Sequence, residues 1–318
     1  MKTVSLYISA TPWNFLNSFA FAANRAEETS YLMYVDFPEG EDNIYLQALD
    51  KMEKDSPFVK AWCFHGKYKG AWKKWRNRLQ EIQQIKQIVA ELEPDQVFVG
   101  SDRRIEFQCA MTEAVKHKPD VKGIYLDEGL FSYTCRKRSQ TWRDRVLDSW
   151  LKRLMYPVDW KHPSTIGASD WISEGWVLKP EEVCKILRAR IVLKLLPRRY
   201  YWSPALEGLK KNLLTATELT QLEQGFDDLV ILPHPSQFTV DLQNKVQHTI
   251  RTLHRTGRVI RVKRHPRDET KTQFQELPKH IPLELLLPFL DFKTLISAPS
   301  TAALTSQLLK PDVKVVPL

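Results

Sequence analysis

The chain has 318 residues, of which 43% are hydrophobic and 27% are charged, a composition that excludes global disorder. Its length is sufficient for two domains of ordinary size, and no apolar run reaches the roughly 18 residues of a membrane helix. The first residues lack the features of a signal peptide, so we expect a cytoplasmic protein. The net charge of +9 favours an anionic partner, and nucleic acid, anionic lipid headgroups and an acidic glycan all fit it.

The N-terminal half alternates between strand-like and helical patterns. Predicted strands cover residues 4–8, 31–35, 59–64, 96–99 and 121–126, and predicted helices cover 12–24, 42–54, 71–92 and 106–116. Pro12 suits the first turn of the first helix, with Thr11 or Ala10 at its cap. This alternation predicts a parallel sheet with helices on both faces.

The C-terminal half predicts a second series of the same kind. A tryptophan-rich helix is predicted at 140–160, and residues 181–222, which show no strand pattern, are predicted to connect two domains. Strands at 229–232, 259–263, 294–297 and 313–316 then alternate with helices at 239–256 and up to 309. We therefore predict an α/β fold of GT-B type, with Rossmann-like domains at 1–222 and 223–318 facing each other across a cleft.

The four cysteines are widely spaced and form no C-x-x-C pair; they are Cys63, Cys109, Cys135 and Cys184. This spacing argues against zinc, and a reducing compartment argues against disulfides. We expect free buried thiols and no metal site.

Two adjacent acids and a glycine end the apolar strand at 121–126. Desolvation raises the pKa of a carboxyl group, and so does a neighbouring carboxylate. One of Asp127 and Glu128 can therefore act as a base near neutral pH, and Gly129 lets the backbone turn beside a ligand. A solvated turn at the end of a strand is the alternative interpretation.

Three further segments of the second half carry groups suited to a nucleotide. His265 and Pro266 directly follow a predicted strand, where a histidine can donate a proton or hydrogen bond to a phosphate. Ser300 and Thr301 begin a helix, whose N-terminus binds anions. Glu284 can bind the hydroxyl groups of a ribose, or it can be an acid in the first turn of a short helix, where its charge interacts favourably with the helix dipole. Taken singly, each segment also fits an ordinary loop or helix cap.

The order of these segments resembles that of the bacterial sialyltransferases and polysialyltransferases. The matching runs are Asp127-Glu128-Gly129, Lys263-Arg264-His265-Pro266, Ile281-Pro282-Leu283-Glu284 and Pro299-Ser300-Thr301. The opening run from Ile8 to Pro12 and the run from Val97 to Arg103 are also similar to family segments. The resemblance implies an inverting, metal-independent transfer of sialic acid from CMP-sialic acid, with no cofactor.

The resemblance also implies roles for individual residues. Asp127 is expected to be the general base, although the Asp-Glu pair leaves Glu128 open for that role, and Gly129 shapes their loop. His265 is expected to face the CMP phosphate. The remaining expected substrate contacts are Ser300 and Thr301 at the phosphate, Glu284 at the ribose, the backbone around Lys263 at the cytosine, and Pro266, Thr11, Pro12 and Asp102. Tryptophans are more often core or interface residues than sugar platforms, but Trp13, beside the Thr-Pro turn, is placed to stack on an acceptor.

The expected partners are a CMP-sugar donor and a glycan or glycolipid acceptor, such as a lipooligosaccharide or a capsule. A transferase of CMP-Kdo or another CMP-activated acid sugar is the alternative of the same class. A basic nucleic-acid-associated protein is the alternative of another class, although on the transferase interpretation no nucleic acid is expected. The basic clusters at 67–78, 136–145 and 188–199 can hold the enzyme at the inner face of the cytoplasmic membrane or track an acidic polysaccharide.

Overall fold

The computed structural model describes residues 2–134, 149–150, 152–156, 158–232, 239–265, 268, 274–298 and 300–318. The chain divides into two compact units, Met1–Leu209 (unit 1) and Lys210–Leu318 (unit 2). Most of the predicted helix at 140–160 lies outside the described residues, as do Cys135, Pro266 and Pro299.

Unit 1 contains one parallel sheet of seven strands, in the order β3-β2-β1-β4-β5-β6-β7. Its strands are β1 (Val4–Ser9), β2 (Thr29–Tyr34), β3 (Lys60–Cys63), β4 (Gln96–Val99), β5 (Lys122–Leu126), β6 (Ile172–Val177) and β7 (Val192–Leu195). Its helices are α1 (Pro12–Ala23), α2 (Ile44–Met52), α3 (Ala71–Leu92), α4 (Ile105–His117), α5 (Leu130–Thr134) and α6 (Lys185–Arg190), and α7 (Pro204–Leu213) carries the chain into unit 2.

The first five strands confirm the predicted parallel sheet, whereas β6 and β7 lie where no strand was predicted. β6 contains Glu174 and Gly175, residue types that are depleted in strands. β7 is a short edge strand with Val192 and Leu195 exposed, so its pattern resembles that of a loop. Residues 181–222 therefore include a strand at the edge of the sheet, where no strand was predicted.

Helix α1 positions polar groups inside unit 1. Thr11 caps it by accepting a hydrogen bond from the backbone N of Asn14 at 3.1 Å, and residues 13–22 are all buried. The ring of Phe21 in this helix packs on the sheet, 5.3 Å from the ring of Phe98 in β4. Because α1 is enclosed, Asn14 and Asn17 must find hydrogen-bond partners within the protein.

Unit 2 contains a parallel sheet of four strands, in the order β11-β10-β8-β9. The remaining elements are α8 (Ala216–Glu223), β8 (Asp228–Ile231), α9 (Val240–Arg255), β9 (Ile260–Lys263), α10 (Leu283–Leu286), β10 (Thr294–Ser297), α11 (Thr301–Leu309) and β11 (Lys314–Pro317). The division between the units falls before the sequence-based boundary at residue 222. Helix α8 goes with unit 2, where Arg261 donates a hydrogen bond to the carbonyl oxygen of Gln221 at 3.4 Å.

The cysteines differ from the prediction at one position. Cys63 and Cys109 are free thiols, whereas Cys184 is disulfide-bonded, so the expectation of free thiols is wrong for Cys184. Within the ranges that the structure describes, no helix is long and apolar enough to cross a membrane.

Candidate functional site

The strand order of the seven-stranded sheet reverses between β1 and β4. Strands β2 and β3 lie on one side of this pair, and β5 to β7 lie on the other. Open α/β sheets bind ligands beyond the carboxyl ends of their strands at such a reversal. The loops that meet there follow β1 at residues 10–11 and β4 at 100–104, and Asp127, Glu128 and Gly129 follow the adjacent strand β5.

Asn14 and Glu128 meet above Gly100 at this reversal. Asn14 lies in the first turn of α1, and its Nδ2 donates a hydrogen bond to Oε2 of Glu128. A Cβ atom on residue 100 would lie 2.2 Å from Asn14 Nδ2 and 2.3 Å from Glu128 Oε2. Side chains never approach a Cβ atom that closely, so the pair can form only over a glycine. We call Asn14, Gly100 and Glu128 the acid cradle.

The pKa of Glu128 is raised to about 7. Burial is the largest cause, because it disfavours the charged form. The hydrogen bond from Asn14 and the charge of Arg104 lower the pKa, whereas the charges of Asp127 and Asp102 raise it. Near neutral pH this carboxyl group is therefore present in both protonation states, as suits a general base.

The neighbouring Asp127 is fully buried, and its carboxylate is occupied. Oδ1 accepts hydrogen bonds from Gly129 N at 2.7 Å and Ser132 Oγ at 3.2 Å. Oδ2 accepts from Leu178 N at 3.0 Å and from the Tyr133 hydroxyl. Burial raises the pKa of Asp127, and these hydrogen bonds lower it. Gly129 takes a positive φ of 67° to complete the turn, so this carboxylate holds the loop together.

Two residues of unit 1 fix the same loop from the other side. Asn17 Nδ2 donates to the carbonyl oxygen of Asp127 at 2.7 Å, and the Tyr201 hydroxyl donates to Asn17 Oδ1 at 2.5 Å. All three residues are fully buried. Helix α1 thus holds the backbone at Asp127 through Asn17 and the side chain of Glu128 through Asn14.

Asp102 also ties loops together. Its side chain is fully buried, and its two oxygens accept from Gly167 N at 2.8 Å and Ser169 N at 2.7 Å. Its carbonyl oxygen accepts from Gln108 Nε2 at 2.7 Å. Asp102 therefore joins the loop after β4 to the segment before β6, and its contact with a substrate stays a prediction.

The Thr-Pro turn at Thr11 and Pro12 positions Asn14. It does not expose Trp13 to a ligand. Thr11 caps α1, and Pro12 is its first residue, as predicted from the sequence. Trp13 is only 5% exposed, and its ring stacks on Tyr201 at 6.2 Å, so it is not available to stack on an acceptor. The contribution of Thr11 and Pro12 to the acid cradle is to begin α1 at Pro12, two residues before Asn14.

In unit 2, Lys263 ends β9 and acts as a clamp. Its buried Nζ donates hydrogen bonds to the carbonyl oxygens of Pro278, Lys279 and Ile281 at 2.5, 3.2 and 2.7 Å. Burial lowers the pKa of Lys263 to about 8, and the nearby charge of Glu284 raises it. The side chain of Lys263 is therefore committed to the segment that leads into α10.

Glu284 lies in the first turn of α10, beside this clamp. Burial raises its pKa, whereas a hydrogen bond from its own backbone N and the charge of Lys263 lower it. The single turn from Leu283 to Leu286 is otherwise buried, so Glu284 is the half-buried polar residue of that turn. This position suits a carboxylate that holds hydroxyl groups of a ligand.

The start of α11 lies where the order of the second sheet reverses, between β8 and β10. Ser300 is the N-cap: its Oγ accepts from Ala303 N at 3.2 Å and lies 3.2 Å from Ser297 Oγ. Thr301, the first residue of the helix, is exposed. His265 follows β9, and its carbonyl oxygen accepts from Asp268 N at 2.9 Å. A helix N-terminus with two hydroxyls is a site that can bind a phosphate.

The structure adds residues that the sequence pattern did not indicate, namely Asn14, Asn17, Gly100 and Tyr201. Each belongs to unit 1 and contacts the acid loop or its supports. The predicted residues Asp127, Glu128 and Gly129 form one constellation with them, and Lys263 and Glu284 form another in unit 2. The pairing of Asp127 with His265 stays a prediction.

No protein-family model matches the sequence, and no curated protein matches it significantly. Solved structures do match the chain. UDP-GlcNAc 2-epimerase from Neisseria meningitidis, in a crystal structure bound to UDP-GlcNAc, gives a TM-score of 0.51 at 11% identity, covering 95% of this chain and 79% of that chain. A Listeria monocytogenes protein described as a UDP-N-acetylglucosamine 2-epimerase gives a TM-score of 0.50 at 10% identity. This match covers 99% of this chain and 79% of that chain.

At this level of identity, the likeness shows the fold. The parallel sheets of both units and the match over almost the whole chain confirm the predicted α/β fold of GT-B type with two Rossmann-like domains.

Proposed function

We propose that the protein is a sugar-nucleotide-dependent glycosyltransferase in which Glu128 is the general base. The observation that carries the proposal is the acid cradle: a carboxyl group with a pKa of about 7 at the strand reversal where such sheets bind ligands. A structural acid would be expected to have a full set of donors. Glu128 has Asn14 as its side-chain donor, whereas Asp127 has four donors.

The reaction we propose is a single displacement. Glu128 accepts the proton of an acceptor hydroxyl, and that oxygen attacks the anomeric carbon of the donor sugar. The bond from this carbon to the phosphate oxygen breaks, and the nucleotide leaves with the bonding electrons as its phosphate gains charge. Hydrogen-bond donors at the phosphate stabilise that charge. The configuration at the anomeric carbon inverts.

This assignment changes the expected role of Asp127. The sequence pattern favoured Asp127 as the base and left Glu128 open. A carboxylate enclosed by two backbone N–H groups and two hydroxyls has no open position for an acceptor hydroxyl. We therefore assign Asp127 to holding the loop that presents Glu128.

The donor contacts are assigned to unit 2 on the basis of the sequence resemblance. Ser300, Thr301 and His265 would contact the phosphate, and Glu284 would hold the ribose hydroxyls. The backbone at Lys263 would meet the base. The position of Ser300 at the strand reversal and the half-buried Glu284 beside Lys263 support these assignments.

The donor we propose first is CMP-sialic acid, and the acceptor is a surface glycan such as a lipooligosaccharide or a capsule. The order of the motifs from Asp127 to Thr301 supports this choice. A CMP-Kdo donor uses the same groups, because it is also a CMP-activated acid sugar.

The test is nucleotide release and nucleotide binding. Incubation with CMP-sialic acid should release CMP slowly even without an acceptor, and CMP should raise the melting temperature. Glu128→Gln should retain the thermal shift and lose the release. The absence of both CMP release and a thermal shift with CMP in the wild type would refute the CMP-dependent proposal.

A second candidate is a sugar-nucleotide 2-epimerase, which the fold likeness to the two epimerase structures favours. If the protein is such an epimerase, UDP rather than CMP should raise its melting temperature. Incubation with UDP-GlcNAc should then invert the configuration at C2, which NMR of the sugar detects. Glycosyl transfer without any C2 inversion would exclude this candidate.

A further inference from the structure

Helix α3 is much longer than the strands that precede and follow it. Its 22 residues span about 33 Å, whereas the four residues of β3 and of β4 span about 13 Å each. The chain enters α3 from the carboxyl end of β3 and leaves it toward the amino end of β4. The excess length therefore projects from the carboxyl edge of the sheet, the edge that also carries the acid cradle.

The burial of α3 follows this projection. Ile82, Ile85 and Val89 are buried in the core, whereas none of the residues from 72 to 80 is buried. Trp75 lies two turns before Ile82 and continues its apolar stripe beyond the sheet. Trp72 is 74% exposed, the highest value among the large apolar side chains that the structure describes as exposed, and its ring lies 5.1 Å from that of Trp75. We call residues 67–76 the α3 tip.

The α3 tip is strongly basic. Residues 67–76 include five basic residues and no acidic one. Lys73 is paired with Glu39 at 2.8 Å. Lys69, Lys74 and Arg76 are exposed, and no carboxylate of the described residues lies within ion-pair distance of them. Three exposed positive charges thus lie within a few residues of two neighbouring indole rings at the start of α3.

We propose that the α3 tip binds the surface of an anionic lipid bilayer. Indole rings favour the interface between water and hydrocarbon, and each basic residue near an anionic surface contributes about 1 kcal/mol. The shape argues for a lipid surface over single-stranded nucleic acid, which is bound in a groove whose rings are open for bases to stack on. Here Trp72 and Trp75 pack on each other at the end of a projection.

Membrane binding at the α3 tip would turn the carboxyl edge of the sheet toward the bilayer. The acid loop follows β5, four strands from β3 in the sheet, which is a lateral separation of about 19 Å. If the proposed function holds, a glycolipid acceptor would then lie on the side of unit 1 that carries Glu128. The binding itself does not depend on the reaction.

The test is co-sedimentation with phosphatidylcholine vesicles, with and without phosphatidylglycerol, in the absence of substrate. We expect binding to the anionic vesicles and a loss of about 100-fold in partitioning for the triple variant Lys69→Ala, Lys74→Ala, Arg76→Ala. Trp72→Ala should lower partitioning by about tenfold. Both variants should release CMP from CMP-sialic acid in solution at the wild-type rate, which separates this proposal from the proposed function.

Matched controls come from other exposed positions. The triple variant Lys245→Ala, Arg251→Ala, Arg255→Ala removes the same charge from α9, and Trp150→Ala removes an indole that is 58% exposed. Both should bind the anionic vesicles as the wild type does. Equal losses in the controls, equal binding to neutral vesicles, or binding of an oligonucleotide through the α3 tip without vesicle binding would each overturn the proposal.

Discussion

The carboxyl edges of the two sheets are built around buried charges of opposite sign. In unit 1, burial raises the pKa of Glu128 to about 7, and in unit 2 it lowers the pKa of Lys263 to about 8. Burial favours the neutral form in both cases. The difference lies in the partners: Lys263 donates to three carbonyl oxygens, whereas Glu128 accepts from the side chain of Asn14.

This difference separates a structural charge from one that is available for chemistry. Asp127 belongs with Lys263, since its four donors fix a loop. Glu128 keeps capacity to accept a proton, and Gly100 leaves the room that its pairing with Asn14 needs. Among buried ionisable groups near a strand reversal, the one with the incomplete set of partners is the better candidate for catalysis.

The largest expected effect is on transfer by Glu128→Gln. Loss of the general base should lower the rate by about 10³-fold. In the wild type, the rate should rise with pH through about 7, because the base must be ionised to accept a proton. Transfer is measured with CMP-sialic acid across pH, and Glu91→Gln, which removes an exposed carboxylate from α3, serves as the control. Undiminished transfer by Glu128→Gln would end its assignment as base.

The same substitution should change stability with pH in a defined direction. A carboxyl group whose pKa is raised from 4.5 to about 7 on folding contributes stability below the lower value and loses it as the pH rises to the higher one. Glu128→Gln cannot ionise, so it should not show this loss. Relative to the wild type, its free energy of unfolding should therefore be higher at about pH 8 than at about pH 4, by about 3 kcal/mol. Urea unfolding at both pH values measures it, and parallel curves would show that Glu128 is not desolvated.

Lys263→Met tests the structural side of the comparison. It removes the donor to three carbonyl oxygens, and buried acceptors left without a partner cost about 1–3 kcal/mol each. We expect unit 2 to lose about 3 kcal/mol in total, because the desolvation of the ammonium group is also relieved. The exposed Lys293→Met should change the free energy of unfolding by less than about 0.5 kcal/mol. A Lys263→Met variant as stable as Lys293→Met would show that the clamp is not structural.

Sequence patterns predict the fold of this protein where strands are buried and fail where a strand lies at an edge. The runs at β1, β4 and β10 are apolar because both faces of the sheet are covered, so their pattern is unmistakable. β7 is half exposed, and Lys194 pairs with Glu174 of β6 at 2.7 Å. Its pattern is therefore as polar as that of a loop.

The candidate site shows a similar limit. The position of Asp127 and Glu128 at the end of a strand follows from the sequence, because acids after an apolar run stand out. Which acid is the base depends on contacts over long sequence separations. Asn14 reaches Glu128 across 114 positions, and no local pattern indicates that pairing.

Gly100→Ala tests whether transfer needs the pairing of Asn14 with Glu128 in the acid cradle. The added Cβ would lie within 2.3 Å of both Asn14 Nδ2 and Glu128 Oε2, so the two side chains must move apart. We expect transfer to fall by about 10²-fold, because a misplaced base loses its alignment with the acceptor. Gly225→Ala, whose Cβ would meet no atom within 4 Å, should be neutral. Equal activity of the two variants would indicate that the pairing of Asn14 with Glu128 is not needed for transfer.

The smallest expected effect comes from two helix caps of the same kind. Thr11 accepts from Asn14 N at 3.1 Å, and Thr239 accepts from Leu242 N at 3.3 Å. Either threonine replaced by alanine should cost about 1 kcal/mol of stability. Thr11→Ala should in addition loosen Asn14, whose hydrogen bond lowers the pKa of Glu128, so its pH–rate profile should move to higher pH. A profile that shifts equally in Thr239→Ala, or in neither variant, would mean that the start of α1 does not tune the base.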